Sequence, residues 1–164
     1  MPNRVMLKVG AGGQVNIFNL SGDTDVVVDV NGWFTDTTSP AGGGGLEVET
    51  PPLRIWDTRF PPNPLQGGST FQVGWGTNAK TTMGAVLNVT VTDTTDSSFL
   101  TVWPAGAPRP LASDLNWVAG QTVANLTVVL TNSGGFQVFN QQGLVDVVID
   151  VDGMFSAAVK PFTS

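Results

Sequence analysis

The sequence predicts an all-β protein: an antiparallel β-sandwich of jelly-roll or Ig-like kind, with about ten short strands and essentially no helix. Three observations carry this. Val (23) and Thr (19) dominate a chain of 164 residues, and β-branched side chains pack well on a pleated surface. Apolar and polar residues alternate over short segments divided by Gly, Asn and Asp. Long stretches of Ala, Leu, Glu and Lys, the strong helix formers, are absent. A trefoil or barrel is the alternative with the same strand content.

The elements follow in order. Residues 5–9 (VMLKV) form a strand that ends at the Gly10–Gly13 turn. Residues 14–19 alternate, with Val15 and Ile17 set against Asn16 and Phe18, and Ser21-Gly22-Asp23 turns the chain again. Residues 25–30 form a third strand that stops at Asn31-Gly32. Further strands are expected at 70–75, 85–92, 98–103, 114–118, 123–130, 135–139 and 145–151. Pro51, Pro52, Pro61, Pro62 and Pro64 argue against regular structure across most of 50–65.

The chain also repeats itself. Residues 13–34 (GQVNIFNLSGDTDVVVDVNGWF) match 134–155 (GGFQVFNQQGLVDVVIDVDGMF) at a constant offset of 121. Positions 13, 18, 19, 22, 25, 26, 27, 29, 30, 32 and 34 are identical, 11 of 22 without a gap. Residues 37–45 (TTSPAGGGG) read as a flexible connection. The organisation is therefore 1–35 as the C-terminal part of a preceding repeat, 36–48 as a Gly-rich linker, 49–156 as a complete module and 157–164 as a tail. A fainter likeness among Leu100–Trp103, Phe136–Phe139 and Asn16–Phe18 suggests a smaller unit of roughly 36 residues, which suits the trefoil or barrel alternative.

Composition excludes much chemistry. The chain has no Cys, His or Tyr, so disulfides, the usual zinc sites and His-dependent nucleophiles are not available. Seven Lys+Arg against 13 Asp+Glu give a net charge of −6, a poor match to nucleic acid. No apolar run approaches the ~20 residues of a membrane span, and no signal peptide is visible after Met1.

Three groups of residues are candidates for function. With a strand period of two, Asp25, Val27, Asp29 and Asn31 share one face, as do Asp146, Val148, Asp150 and Asp152. The plain reading is a polar outer face ending in a tight Gly turn. The sharper one is a hard-cation site, with calcium as the candidate and Asp29, Asn31, Asp150 and Asp152 as ligands. A glycosidase carboxylate pair is the least favoured reading, because i and i+4 on a strand lie about 13 Å apart. Trp33, replaced by Met154 in the other copy, and Trp75, between Gly74 and Gly76, are the candidate sugar-contacting aromatics; Trp103 is read as structural. Arg54, Asp57 and Arg59 are read as a clasp of charge-assisted hydrogen bonds in a Pro-rich stretch. The sequons Asn88-Val89-Thr90 and Asn125-Leu126-Thr127 fall inside expected strands and are read as strand residues.

Several motifs recur in a fixed order: Leu53-Arg54-Ile55-Trp56-Asp57-Thr58-Arg59, Ala85–Thr92 (AVLNVTVT), Phe99–Gly106 (FLTVWPAG), Arg109-Pro110, Ala112–Asn116 (ASDLN), Gly120–Asn125 (GQTVAN) and Asp146–Phe155 (DVVIDVDGMF). This series resembles repeat modules of large secreted and cell-surface proteins of actinobacteria, over 50–156 in full and over 1–35 as a module's tail. Ile55-Trp56 departs from the two Leu usual there. The resemblance implies an extracellular setting, tandem repetition and no catalytic residues.

The expected function is a non-catalytic structural or adhesive module that self-associates, or joins neighbouring repeats, through strand exchange of residues 1–35 into an oligomer or filament. A polysaccharide- or cell-envelope-binding module is the alternative. An enzyme is the least favoured class.

Overall fold

The computed structural model describes residues 4, 9–28, 30, 45–74, 82–131 and 135–156. Nine strands are present among them: β1 (Gly45–Asp57), β2 (Leu65–Gln66), β3 (Thr70–Val73), β4 (Thr82–Thr92), β5 (Ser98–Pro104), β6 (Leu115–Trp117), β7 (Val123–Leu130), β8 (Phe136–Asn140) and β9 (Leu144–Ser156). They form two antiparallel sheets packed face to face, a β-sandwich. One sheet has the order β1-β9-β4-β7, with β2 also paired to β9; the other has the order β3-β8-β5-β6. Among the described residues both sheets are open and face each other, a sandwich rather than the barrel or trefoil alternative.

Alternation in the sequence decides which face is core. On β4, Ala85, Leu87, Val89 and Val91 point inward; on β9, Val147, Ile149 and Val151 do so. Leu100, Val102, Phe136 and Val138 meet them from the second sheet. The register sets Val89 beside Ile149 and Val91 beside Val147, so a one-residue slip would turn both rows to solvent.

The two open sides of the sandwich are closed differently. On one side, Trp56 of β1 lies flat on Phe71 of β3, with ring centroids 4.5 Å apart and planes 6° apart. On the other side, the Asn125 amide of β7 donates to the Asp114 carbonyl at 2.7 Å.

The Pro-rich stretch corrects the expectation from sequence. Pro51 and Pro52 lie within β1, and the register against β9 shifts between Val48 and Leu53. β1 is an edge strand, where a missing N–H on the outer side breaks no ladder. The strand also begins at Gly45, inside the stretch expected to be linker. β2 was likewise unforeseen.

A second correction concerns the first repeat copy. Residues 14–19 and 25–28 were expected as strands but carry no strand pairing and are exposed. Their equivalents β8 and β9 each lie between two other strands. An extended segment without hydrogen-bonded neighbours is not a stable strand in water. Of the expected strand at 5–9, residues 5–8 lie outside the described residues.

Candidate functional site

Two features stand out: a charged row on the outer face of the β1-β9-β4-β7 sheet, and the first repeat copy. The row begins at Arg54, whose guanidinium donates from Nε to Asp150 Oδ1 at 2.9 Å and from Nη2 to Asp150 Oδ2 at 3.3 Å. Its Nη1 reaches Asp57 Oδ2 at 3.3 Å. Arg59 grips Asp57 from Nε at 2.8 Å and from Nη2 at 2.7 Å, and its backbone N–H adds a third bond at 3.1 Å. These Arg59 bonds hold the Asp57 carboxyl down to about 2. The hydrogen bond to Asp150 raises Arg54.

Thr58, between these residues, is buried. Its hydroxyl donates to Asp146 Oδ1 at 2.6 Å and accepts from the Val147 N–H at 2.9 Å. The row thus ties the end of β1 to β9 at Asp146 and Asp150 where the ladder is irregular. Arg54, Asp57 and Arg59 come together as one structural unit.

Asp150 is occupied by Arg54. Asp152 is raised by burial and then by the nearby Asp150 charge. Among the described residues no group of three Asp, Glu, His or Cys is placed to hold a metal ion. Asp29 and Asn31, the other proposed cation ligands, lie outside the described residues, as do Trp33 and Trp75. Of the remaining tryptophans, Trp103 and Trp117 are buried. Their indole N–H groups donate to the Ala107 carbonyl at 2.9 Å and the Asp96 carbonyl at 3.0 Å. Asn125 is buried with both ends of its amide engaged, and Asn88 is half-buried on β4.

The first repeat copy gives the sharpest contrast. Ile17, Phe18, Val28 and Val30 are 63%, 83%, 60% and 81% exposed. Their equivalents Val138, Phe139, Ile149 and Val151 are 0%, 7%, 0% and 1% exposed. Val15, Val26 and Val27 against Phe136, Val147 and Val148 behave alike. The same apolar pattern is a core in one copy and a surface in the other. It far exceeds the scattered apolar residues normal on a surface.

The local geometry of the loop is nonetheless kept. Asn19 Nδ2 donates to the Gly22 carbonyl at 2.6 Å, as Asn140 Nδ2 does to the Gly143 carbonyl at 2.9 Å. Gly22 and Gly143 share a left-handed backbone, with φ of 70° and 67°. What is local to the repeat is formed, and what depends on neighbouring strands is not.

Arg4, ahead of this copy in the chain, is bonded to the module. Its Nη2 bonds Asp114 Oδ1 at 2.9 Å and its N–H bonds Asn125 Oδ1 at 3.2 Å. Burial raises the Asp114 carboxyl, opposed by the Val102 N–H and by Arg4. Arg4 and Asp114 are 110 positions apart, and no spacing or motif announces the pair. Among the described residues no helix is long and apolar enough to cross a membrane. No family model, curated protein or solved structure matches the chain.

Proposed function

We propose that this chain is a non-catalytic structural or adhesive repeat module of an extracellular or cell-surface protein, joined to its neighbours through residues 1–35. The observation behind this reading is the burial contrast between the two repeat copies: a segment with a core strand pattern lies exposed beside a complete module. Exposed strand-forming segments are satisfied by strands from elsewhere, so the joint forms by strand exchange.

The test compares the full chain with a variant lacking residues 1–44, by light scattering after gel filtration at tens of micromolar. The full chain is expected to associate as concentration rises. The shortened chain should stay monomeric and keep its β-sheet circular dichroism. Equal association of the two, or unfolding of the shortened one, would refute the joint.

A further inference from the structure

The position of the exposed copy in the repeat says what must cover it. At the offset of 121, residues 14–30 correspond to 135–151, the segment of β8 and most of β9. Neither is an edge strand: β8 runs between β3 and β5, and β9 between β1 and β4. A central strand needs a hydrogen-bonded neighbour on each flank. The partner of 14–30 must therefore offer two open slots, one in each of two facing sheets. A single strand added at an edge does not meet this demand.

Copies of these residues can be linked by exchange, but a count shows that they cannot cover every filling segment. Among the described residues each copy holds one slotted strand set, β1–β6 within 45–121, and two segments of the kind that fills it, 14–30 and 135–151. Any number of copies leaves one filling segment per copy uncovered, however they are exchanged.

We infer that residues 14–30 complete a separate, open six-stranded unit of the β1–β6 type that lacks its own last strands. The inference rests on the reading of residues 1–35 as a joint and names its partner. The chemistry of that partner follows from the second copy. Asp25 corresponds to Asp146, which accepts the Thr58 hydroxyl at 2.6 Å. The Asp at position 29 corresponds to Asp150, which Arg54 grips at 2.9 and 3.3 Å. Asn19 corresponds to Asn140, whose amide also donates to the Leu65 carbonyl at 3.1 Å and accepts the Ser98 hydroxyl at 3.0 Å. The partner thus presents an Arg on its first strand and a Thr four residues later, just past that strand's end, a free carbonyl at the place of Leu65 and a hydroxyl at the place of Ser98. Its slot walls are apolar, as Leu87, Val89 and Leu100 are here.

The test supplies such a partner. Residues 45–121 are fused directly ahead of Met1, which the offset makes the equivalent of Thr122, so the register is kept. The fused chain has two slotted sets and two filling segments. Hydrogen exchange at 14–30, read by mass spectrometry, is expected to slow at least ~100-fold relative to the unmodified chain, toward the range of 135–151. Val28→Asp should abolish that protection in the fused chain and leave the unmodified chain unchanged, since Val28 is 60% exposed and its equivalent Ile149 fully buried. Fast exchange at 14–30 in a fused chain whose 45–156 segment is protected would overturn the inference.

A second measurement uses the unmodified chain and covers the case of a fusion that does not fold. Native mass spectrometry and hydrogen exchange are followed across a concentration series. Association of the full chain in which one filling segment per copy stays unprotected supports the inference. An ordered oligomer with 14–30 and 135–151 both protected in every copy would overturn the count while leaving the joint itself standing. Association that persists without residues 1–44 would instead remove the joint.

Discussion

Val30 and Val151 are the same residue at the same repeat position, 81% and 1% exposed, so one substitution made twice measures what the surroundings contribute. Val151 pairs with Leu53 of β1 and Leu87 of β4 and sits in the core. Val151→Ala removes two methyl groups from a close-packed site. At about 0.8 kcal/mol each the transfer loss is about 1.6 kcal/mol, and the cavity left behind adds roughly 1 kcal/mol. A loss of about 2.5 kcal/mol lowers the melting temperature by roughly 8–12 °C in a domain of this size. Val30→Ala should stay within about 0.5 kcal/mol of the parent. Urea unfolding followed by circular dichroism reads both, with unchanged slopes showing that the denatured state is not altered. Similar losses at the two sites, or none at Val151, would refute the claim that only the second copy is packed.

Other outcomes follow from particular contacts. Asn140→Ala strips the Leu65 and Gly143 carbonyls and the Ser98 hydroxyl of a buried partner and should cost about 2–3 kcal/mol in urea titrations; Asn19→Ala should cost a few tenths at most. A Cβ at Gly143 would lie 2.7 Å from Asp96 Cβ and 2.8 Å from Thr95 Oγ1, whereas one at Gly22 meets nothing within 4 Å. Both glycines have positive φ, but only Gly143 lies in the packed module, so Gly143→Ala should lose well over about 1 kcal/mol while Gly22→Ala stays within about 0.5 kcal/mol of the parent, as judged by thermal melts. The Asp57 carboxyl is lowered from 3.8 to about 2 by Arg59, so its stabilising effect is complete above the unfolded value and lost as pH falls through the folded one. The gap in melting temperature between the parent and Asp57→Asn should therefore be constant above about pH 5 and close toward pH 2 in scanning calorimetry; a gap that persists at pH 2 would reject the Arg59–Asp57 bond as its source.

The fold class was legible because Val and Thr alternate with polar residues over stretches that match β4, β5, β7, β8 and β9. The constraint that makes Val147, Ile149 and Val151 a core row is a period of two, which a sequence displays directly. β1 was not legible. Its prolines speak against a ladder, and only its place at a sheet edge, a tertiary fact, makes them harmless. The strands expected at 14–19 and 25–30 failed for the opposite reason. Their pattern is that of β8 and β9, but a pattern describes a strand's faces and not its neighbours, and these segments have none among the described residues. The clasp residues Arg54, Asp57 and Arg59 were visible as a local cluster. Their attachment to Asp146 and Asp150, and the hold of Arg4 on Asp114, depend on positions about ninety or more residues apart that no local reading joins.

The central placement of β8 and β9 also bears on how the protein is made. β8 and β9 follow β1–β6 in the chain, so at about 5–20 residues per second the flanking strands are synthesised some seconds before the central strands that join them. Until β9 is made, β1 and β4 have no strand between them, and neither sheet of the module can close in the order in which its strands emerge.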